Sequence, residues 1–207
     1  MKIIGFSALL GGGKDTMSNL VFSRWSKLEP TIILAFADSL KIEVITRDLI
    51  PFHNVYIPQG GVERSAEVRR ILQLRGTEQG RQRFGENIWV ETMAAWIKVH
   101  QMRGIKRFII SDVRFSNEIE WIRQQGGHVI RLHAPNRVWS RAMKEAGQNE
   151  EIARRLLEHP SEANYHDCEH LWDLILQNDF GQEKQVADDL FHFLSVFELD
   201  LDFVNSA

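Results

Sequence analysis

The strongest constraint on the fold is a glycine-rich turn between a short apolar segment and a helical pattern. Residues 3–6 have the character of a buried strand, and the turn holds Gly11, Gly12 and Gly13 followed by Lys14. The apolar residues after the turn recur at helical spacing, at Met17, Leu20, Val21 and Trp25. This order predicts a βα unit whose turn lies at the carboxyl edge of a parallel sheet.

Strand and helix patterns alternate along the rest of the chain. We predict strands at residues 31–36, 108–110, 128–132 and 171–176. Residues 51–62 are predicted to be a loop, and residues 63–84, 87–102 and 137–158 to be helical. The alternation predicts a three-layer α/β fold with a parallel, roughly five-stranded sheet. The 207 residues, 43% of them hydrophobic, suit one domain over residues 1–207.

Composition argues against several classes of protein. The formal charge of −3 gives no global basic field, so we expect no stable nucleic-acid partner. No apolar run approaches membrane-spanning length, and the first residues do not resemble a signal peptide. The single Cys168 cannot form an internal disulfide, which fits a reducing environment. We therefore predict a cytoplasmic protein that does not associate with membranes.

The glycine-rich turn has the chemistry of a phosphate-binding loop. Its backbone N–H groups can turn toward phosphate oxygens, Lys14 can reach the β- and γ-phosphates, and the helix N-terminus adds a favourable dipole. Ala8 replaces the first glycine of the usual motif. Asp15 stands at the hydroxyl position with Thr16 after it, so a bound Mg²⁺ would keep more water. The alternative is a βα turn with an incidental lysine. We predict ATP contacts at Gly11, Gly12, Gly13, Lys14, Asp15 and Thr16.

Two further strands deliver carboxylates to the same edge of the sheet. Asp112 follows the strand at 108–110, in the place of a Walker B aspartate that holds Mg²⁺ directly or through water. Asp15 is a second candidate ligand for the metal. Asp38 follows the strand at 31–36, with Lys41 one turn later, where the pair could contact an acceptor. Each strand-end aspartate could instead cap the helix that follows it.

Arg114 and Glu118 lie just beyond Asp112. We predict that Arg114 acts in catalysis with Asp112 and that Glu118 binds substrate. The alternative is an Arg114–Glu118 pair on the surface of a helix, worth only a few tenths of a kcal/mol.

Polar residues recur at every fourth position in the helical region between the second and third strands. Two guanidiniums suit a phosphate, and an amide and a hydroxyl suit a base edge. A solvated charged face is the alternative. Trp89 could stack on a base or fill the core. We predict substrate contacts at Arg69, Gln73, Thr77, Arg81 and Trp89.

Arginines also occur between the fourth and fifth strands, where a kinase lid would lie. Lid arginines neutralise the phosphoryl group and exclude water, and we predict this role for Arg137 and Arg141. An ordinary charged helix is the alternative. His166 and His170 have a spacing that zinc ligands use, but the segment lacks the His-Glu-x-x-His pattern and is interpreted as a surface connection.

These motifs together resemble the deoxynucleoside monophosphate kinases of tailed bacteriophages, a branch of the P-loop nucleotide kinases. The resemblance spans nearly the whole chain, and its most specific piece is residues 111–118, Ser-Asp-Val-Arg-Phe-Ser-Asn-Glu. Further matching pieces lie at residues 13–16, 36–41, 69–78, Arg81, 126–127, 161–162 and 178–179.

The resemblance implies a kinase that uses ATP and Mg²⁺ to convert a dNMP into a dNDP. It implies a helical NMP-binding insert at about 42–103 and a lid at about 135–165. Lys14 would contact the ATP phosphates, and the loop at Asn178 would touch adenine. Phe180 departs from the family, which usually has glycine there. The acceptor side would be lined by Arg69, Gln73, Asp112 and Arg114.

Three other functions remain open from the sequence. A P-loop kinase with a hydroxyl acceptor, such as a hydroxymethylated pyrimidine in phage DNA, would use Asp38 as its base. A nucleotide-binding regulator would hydrolyse nucleotide slowly without an acceptor. A plain binding module would not need Asp112 and Arg114 at a strand end. Trp96 and two phenylalanines near the C-terminus fit a core or a homodimer interface equally well. If phage-encoded, the protein would act in the host cytoplasm.

Overall fold

Five parallel strands form one sheet. The computed structural model describes residues 1–56, 65–158 and 171–204, with the backbone alone at 77–78 and 198–204. The strands are β1 (Lys2–Ala8), β2 (Thr31–Leu34), β3 (Arg107–Ile110), β4 (His128–His133) and β5 (Leu174–Gln177). Their order is β2-β3-β1-β4-β5, and every neighbouring pair is parallel. The predicted parallel five-stranded sheet is confirmed.

Helices connect the strands and cover both faces of the sheet. The first connection is α1 (Lys14–Trp25). Between β2 and β3 lie α2 (Ala37–Arg47), α3 (Phe52–Val55), α4 (Ala66–Gln73), a π-helix (Leu74–Arg81), α5 (Gln82–Phe84) and α6 (Ile88–Met102). The later helices are α7 (Ser116–Gln124), α8 (Pro135–Glu145), α9 (Glu150–Leu157) and α10 (Glu183–Val204).

Two apolar clusters lie on opposite faces of the sheet and make the three layers. Ile3 faces the cluster that packs under α2, α6 and α7, whereas Ile4 and Phe6 face the cluster under α1 and α10. Successive side chains of a strand point to opposite faces. Because both faces are covered, β1 reads as a continuous apolar run and has buried residues from Ile3 to Ala8.

Several local predictions differ from the structure. Residues 52–55 of the predicted loop form the helical turn α3. The helix predicted at 137–158 is two helices, because the chain reverses at Gly147 and Gln148, which have φ of 59° and 67°. The region predicted as one helix at 63–84 contains a π-helix, and its residues 63–64 lie outside the description. The last strand begins at Leu174 instead of residue 171.

Within the described ranges, no helix is both long and apolar enough to span a membrane.

Candidate active site

The carboxyl ends of β1, β2 and β3 are joined by hydrogen bonds just beyond the strands. The N–H of Val113 donates to the carbonyl of Phe6 at 3.1 Å, and Ser7 Oγ donates to the carbonyl of Val113 at 2.8 Å. The N–H of Ser111 donates to Leu34 at 3.0 Å. Residues 111–113 are therefore fixed between the first two strands, beside the glycine-rich turn. This edge is where ligands bind in an open α/β sheet.

The glycine-rich turn has the backbone of an anion-binding loop. Gly11 and Gly13 have φ of 76° and 93°, which other residues rarely adopt. The N–H of Gly12 donates to the carbonyl of Leu9 at 2.9 Å and closes the turn. Helix α1 begins at Lys14, so its unpaired N–H groups and its positive dipole end are directed at the space above the loop.

The predicted donor-side residues begin α1. Lys14 Nζ donates to Asp15 Oδ1 at 2.7 Å, and the Asp15 side chain is 70% exposed. Thr16 is also exposed. An exposed ion pair contributes at most about 1 kcal/mol, so a phosphate can replace Asp15 as the partner of Lys14 at little cost.

Helix α8 packs against the phosphate-binding loop. A Cβ placed on Gly11 would lie 2.7 Å from Cβ of Arg141. Arg137 Nη1 donates to the carbonyl of Asn178 at 3.3 Å, and its Nη2 pairs with Glu183 at 3.1 Å. Both predicted lid arginines therefore lie beside the loop, where their positive charge can stabilise bound phosphates.

The loop after β5 supports both the phosphate-binding loop and α8. Asn178 is fully buried, and its Nδ2 donates to the carbonyl of Gly12 at 2.8 Å. Asp179 accepts the N–H groups of Asn136 and Arg137 at 3.2 and 3.0 Å, which satisfies the start of α8. The predicted adenine contact of the loop at Asn178 stays a prediction, whereas the buried Asn178 side chain itself is directed at Gly12.

We expect Asn178→Ala to raise the KM for ATP by about tenfold. The substitution leaves the buried carbonyl of Gly12 without its donor. We expect this to destabilise the native loop conformation by about 1–3 kcal/mol. Initial rates at varied ATP give KM, and thermal unfolding reports stability. Gln177→Ala removes an exposed neighbouring carboxamide and should change neither. An unchanged KM for ATP in a folded Asn178→Ala protein would contradict the supporting role.

The two strand-end aspartates both bind backbone near the start of α2. Asp112 accepts the N–H groups of Phe36 at 2.7 Å and Ala37 at 3.0 Å. Asp38 Oδ2 accepts the N–H of Ala35 at 2.9 Å. Its Oδ1 accepts from Lys41 Nζ at 3.0 Å and from the Tyr56 hydroxyl at 3.1 Å. The two carboxylates thus connect the ends of β2 and β3 to the start of α2. The ammonium group of Lys41, a predicted substrate contact, is paired with Asp38.

The described residues contain no group of three or more His, Cys, Asp or Glu side chains that could hold a metal ion. His166 and His170 of the zinc spacing lie outside the described residues. Mg²⁺ usually binds to one or two carboxylates, several waters and the substrate phosphates. Asp112 fits this use, because each of its oxygens keeps acceptor capacity beside one backbone N–H. The Asp15 side chain is exposed and would bind the ion only beside the nucleotide phosphates.

Glu118 and Arg81 form a buried ion pair between the β3–α7 loop and the π-helix. Arg81 Nη2 lies 2.6 Å from Glu118 Oε1, and the two side chains are 9% and 3% exposed. Glu118 Oε2 accepts the N–H groups of Arg114 and Phe115 at 2.8 and 3.2 Å. Burial raises the pKa of Glu118 to about 7, Arg81 opposes the rise, and the charge of Asp112 adds to it.

This pair changes the interpretation of two predicted substrate contacts. Arg81 also donates to the carbonyl of Glu86 at 2.9 Å and lies 3.8 Å from the centre of the Phe115 ring. Both side chains are buried among protein groups, so direct substrate contact is corrected to a supporting role. They hold the loop that carries the half-buried Arg114.

The other predicted residues of the insert are dispersed. Trp89 is 9% exposed, and its Nε1 donates to the carbonyl of Gly76 at 2.9 Å, so it supports the π-helix rather than an open base site. Gln73 is half-buried at the end of α4, and the Thr77 side chain lies outside the description. Arg69 pairs with Glu145 of α8, a residue that the sequence did not single out. Arg69 and Arg81 therefore contact different partners and do not form one face.

Comparison with known proteins shows which enzymes this chain is similar to. A family model for deoxynucleotide monophosphate kinase matches residues 57–149. A putative deoxynucleotide monophosphate kinase of Acanthamoeba polyphaga mimivirus is 28% identical over 149 residues, which are 65% of this chain and 75% of that protein. This chain is a nucleotide kinase. The predicted resemblance to deoxynucleoside monophosphate kinases is confirmed.

Solved structures confirm the fold of the kinase. Dephospho-CoA kinase from Campylobacter jejuni has a TM-score of 0.51 and 13% identity, covering 96% of this chain and 100% of that one. Shikimate kinase from Bacteroides thetaiotaomicron has a TM-score of 0.52 and 14% identity, covering 93% and 98%. At this level of identity, the two structures support the P-loop kinase fold and carry no information on the acceptor.

Proposed function

We propose that this kinase transfers the γ-phosphate of ATP to a deoxynucleoside monophosphate and releases ADP and the deoxynucleoside diphosphate. The main support is the position of the family match. Residues 57–149 include α4, the π-helix, the Asp112–Arg114 segment and α8, and therefore much of the proposed acceptor side, whereas the phosphate-binding loop lies outside the match.

The donor side would act by positioning and charge neutralisation. Lys14 and the N-terminus of α1 would bind the β- and γ-phosphates. Arg137 and Arg141 would bring positive charge to the phosphoryl group during transfer. Phosphoryl transfer needs little covalent chemistry from the protein, so these fixed charges supply most of the catalysis. Helix α8 packs on the loop at Gly11, which also helps to exclude water.

The acceptor side favours a phosphate over a hydroxyl. A monophosphate is already ionised and needs no strong base. Asp38 would be the base for a hydroxyl, but its two oxygens accept three hydrogen bonds from Ala35, Lys41 and Tyr56. In the proposed reaction Arg69 and Arg114 bind the acceptor phosphate, and Asp38 keeps α2 and Lys41 in place.

Mg²⁺ would be held by Asp112 through water, with the nucleotide phosphates supplying the remaining ligands. The ion would neutralise charge on the β- and γ-phosphates. Asp112 itself fixes the start of α2 through two backbone N–H groups, so it keeps the acceptor side in register with the sheet.

The test is ADP release from ATP and Mg²⁺ with dAMP, dGMP, dCMP, dTMP or 5-hydroxymethyl-dCMP, each against a blank without acceptor. We expect ADP release to depend on at least one acceptor, with its diphosphate formed in equal amount. Lys14→Met protein, purified in parallel, controls for contaminating kinases. Equal, slow hydrolysis with every acceptor and in the blank would overturn the proposal and direct the search to hydroxyl acceptors in modified DNA.

A further inference from the structure

Glu145 joins the two sides of the proposed active site. It lies in the last turn of α8, and its side chain is only 6% exposed. One carboxylate oxygen, Oε1, accepts Arg141 Nε at 3.0 Å, and the other, Oε2, accepts Arg69 Nη1. A buried carboxylate shared by two guanidiniums is a strong, directional contact.

The two arginines come from the donor side and the acceptor side of the proposed active site. Arg141 belongs to the helix that packs on the phosphate-binding loop at Gly11. Arg69 belongs to α4, inside the proposed NMP-binding insert, 76 residues away in sequence from Glu145. Glu145 therefore links the insert to the helix over the loop, and it brings together two cations that would otherwise repel each other.

We infer that Glu145 is a positioning residue that holds Arg69 and Arg141 as a two-arginine clamp for the acceptor phosphate and the phosphoryl group in transfer. The inference rests on the proposed function for the identity of the ligand. A guanidinium has five N–H donors in a fixed plane, so it can bind Glu145 and a phosphate oxygen at the same time. The carboxylate fixes the plane, and the site keeps one net positive charge from the three groups.

The same geometry makes a competing role testable. If Glu145 only occupied the arginines in place of phosphate, its removal would release them and tighten acceptor binding. If it positions them, removal leaves two guanidiniums that repel each other without the carboxylate that orients them, and both acceptor binding and transfer suffer. The two roles therefore predict opposite changes in the KM for the acceptor.

The experiment compares wild type with Glu145→Gln, Arg69→Gln and the double variant. We expect Glu145→Gln to raise the KM for the dNMP by about tenfold and to lower kcat by about tenfold, with little change in the KM for ATP, since 1.4 kcal/mol of lost binding is a factor of 10. In the Arg69→Gln background, Glu145→Gln should lose much of its effect on acceptor KM. Calorimetric binding of the dNMP in the absence of ATP should weaken in parallel.

Glu151→Gln is the matched control. It breaks an ion pair with Arg155 whose side chains are 75% and 72% exposed, and it should leave every constant unchanged. Thermal unfolding of each variant separates lost positioning from lost folding, and Glu145→Asp should recover part of kcat because it keeps the charge.

Each outcome decides a different point. If wild type neither binds nor phosphorylates any dNMP, the proposed function and this inference both fail. If wild type is active and folded Glu145→Gln stays within twofold in kcat and acceptor KM, the inference alone fails. A lower acceptor KM in Glu145→Gln would identify Glu145 as a competitor of phosphate and would also overturn it.

Discussion

Lys14→Met should lower kcat for phosphoryl transfer by at least about 100-fold. Removing one preorganised charge that stabilises a transition state costs about 10²–10³ in kcat. Lys14 is the first residue of α1, and its ammonium group pairs with the exposed carboxylate of Asp15, so a phosphate can replace Asp15 as the partner of Lys14. Steady-state rates at saturating ATP and acceptor measure the loss.

Lys27→Met is the matched control for Lys14→Met, because Lys27 lies exposed just beyond the other end of α1 and should tolerate the change. Circular dichroism should show both variants folded, since Lys14 lies at the first position of α1 and pairs with the exposed Asp15. Near-normal kcat in Lys14→Met would remove the lysine from the transition state and leave the arginines of α8 as its main cationic stabilisers.

The sheet was predictable because its signals are local. Each strand is a short apolar run that ends near a polar residue, and parallel strands place those ends at one edge. Asp112 and the glycine-rich turn could therefore be placed together from sequence alone. The break of the helix at Gly147 and Gln148 was missed, because the polar, charged segment at 137–158 was predicted to be helical throughout.

The partners of the site residues were not predictable in the same way. Glu145 lies in an ordinary charged helix, and the arginine it shares with α4 is far away in sequence. Glu118 has a helical i,i+4 relation to Arg114, which suggested a surface pair, but its charged partner is Arg81. Pairings of this kind depend on how the insert folds over the sheet, and periodicity carries no information about that.

The π-helix is a second case in which tertiary packing overrides local pattern. A four-residue repeat over residues 69–81 predicts one helical face, but the i→i+5 turns of the π-helix change the directions of the side chains after Leu74. Trp89 supports this segment through its hydrogen bond to Gly76. The arginines at the two ends of the repeat consequently contact different carboxylates.

The buried pair of Arg81 and Glu118 gives the largest expected effect on stability. Arg81→Met keeps much of the side-chain length but leaves the Glu118 carboxylate without its cation, and breaking a buried pair in this way costs about 3–5 kcal/mol. Part of that cost is independent of pH, because the contacts of Arg81 with the Glu86 carbonyl and the Phe115 ring are lost as well. The rest depends on whether Glu118 is ionised.

The sign of the pH dependence follows from the raised pKa of Glu118. In wild type the pKa is about 7 when folded, against 4.5 for an ordinary glutamate, so the folded state binds the proton more tightly. This group therefore lowers the free energy of unfolding as pH rises from about 4.5 to about 7, and above that range its effect is constant. Arg81 opposes the rise in the pKa of Glu118. Its removal should therefore raise this pKa further and extend the pH range over which stability falls.

Wild type and Arg81→Met should consequently diverge above pH 7. At pH 6 both folded proteins hold Glu118 mostly neutral, and mainly the pH-independent loss separates them. Above pH 7 the variant continues to lose stability, at up to about 1.4 kcal/mol per pH unit, while the contribution of Glu118 in wild type no longer changes. Urea unfolding of both proteins at pH 6, 7 and 8 measures the difference.

Two further variants separate the titration of Glu118 from simple damage to the fold. Arg83→Met changes an exposed arginine two residues away and should cost little at any pH. Arg81→Met combined with Glu118→Gln has no carboxyl to titrate, so its difference from wild type should not grow between pH 7 and 8. A constant difference between wild type and Arg81→Met across this range would contradict an ionising Glu118. The same carboxylate accepts the N–H groups of Arg114 and Phe115, so the pair that this experiment tests also supports the loop that carries Arg114.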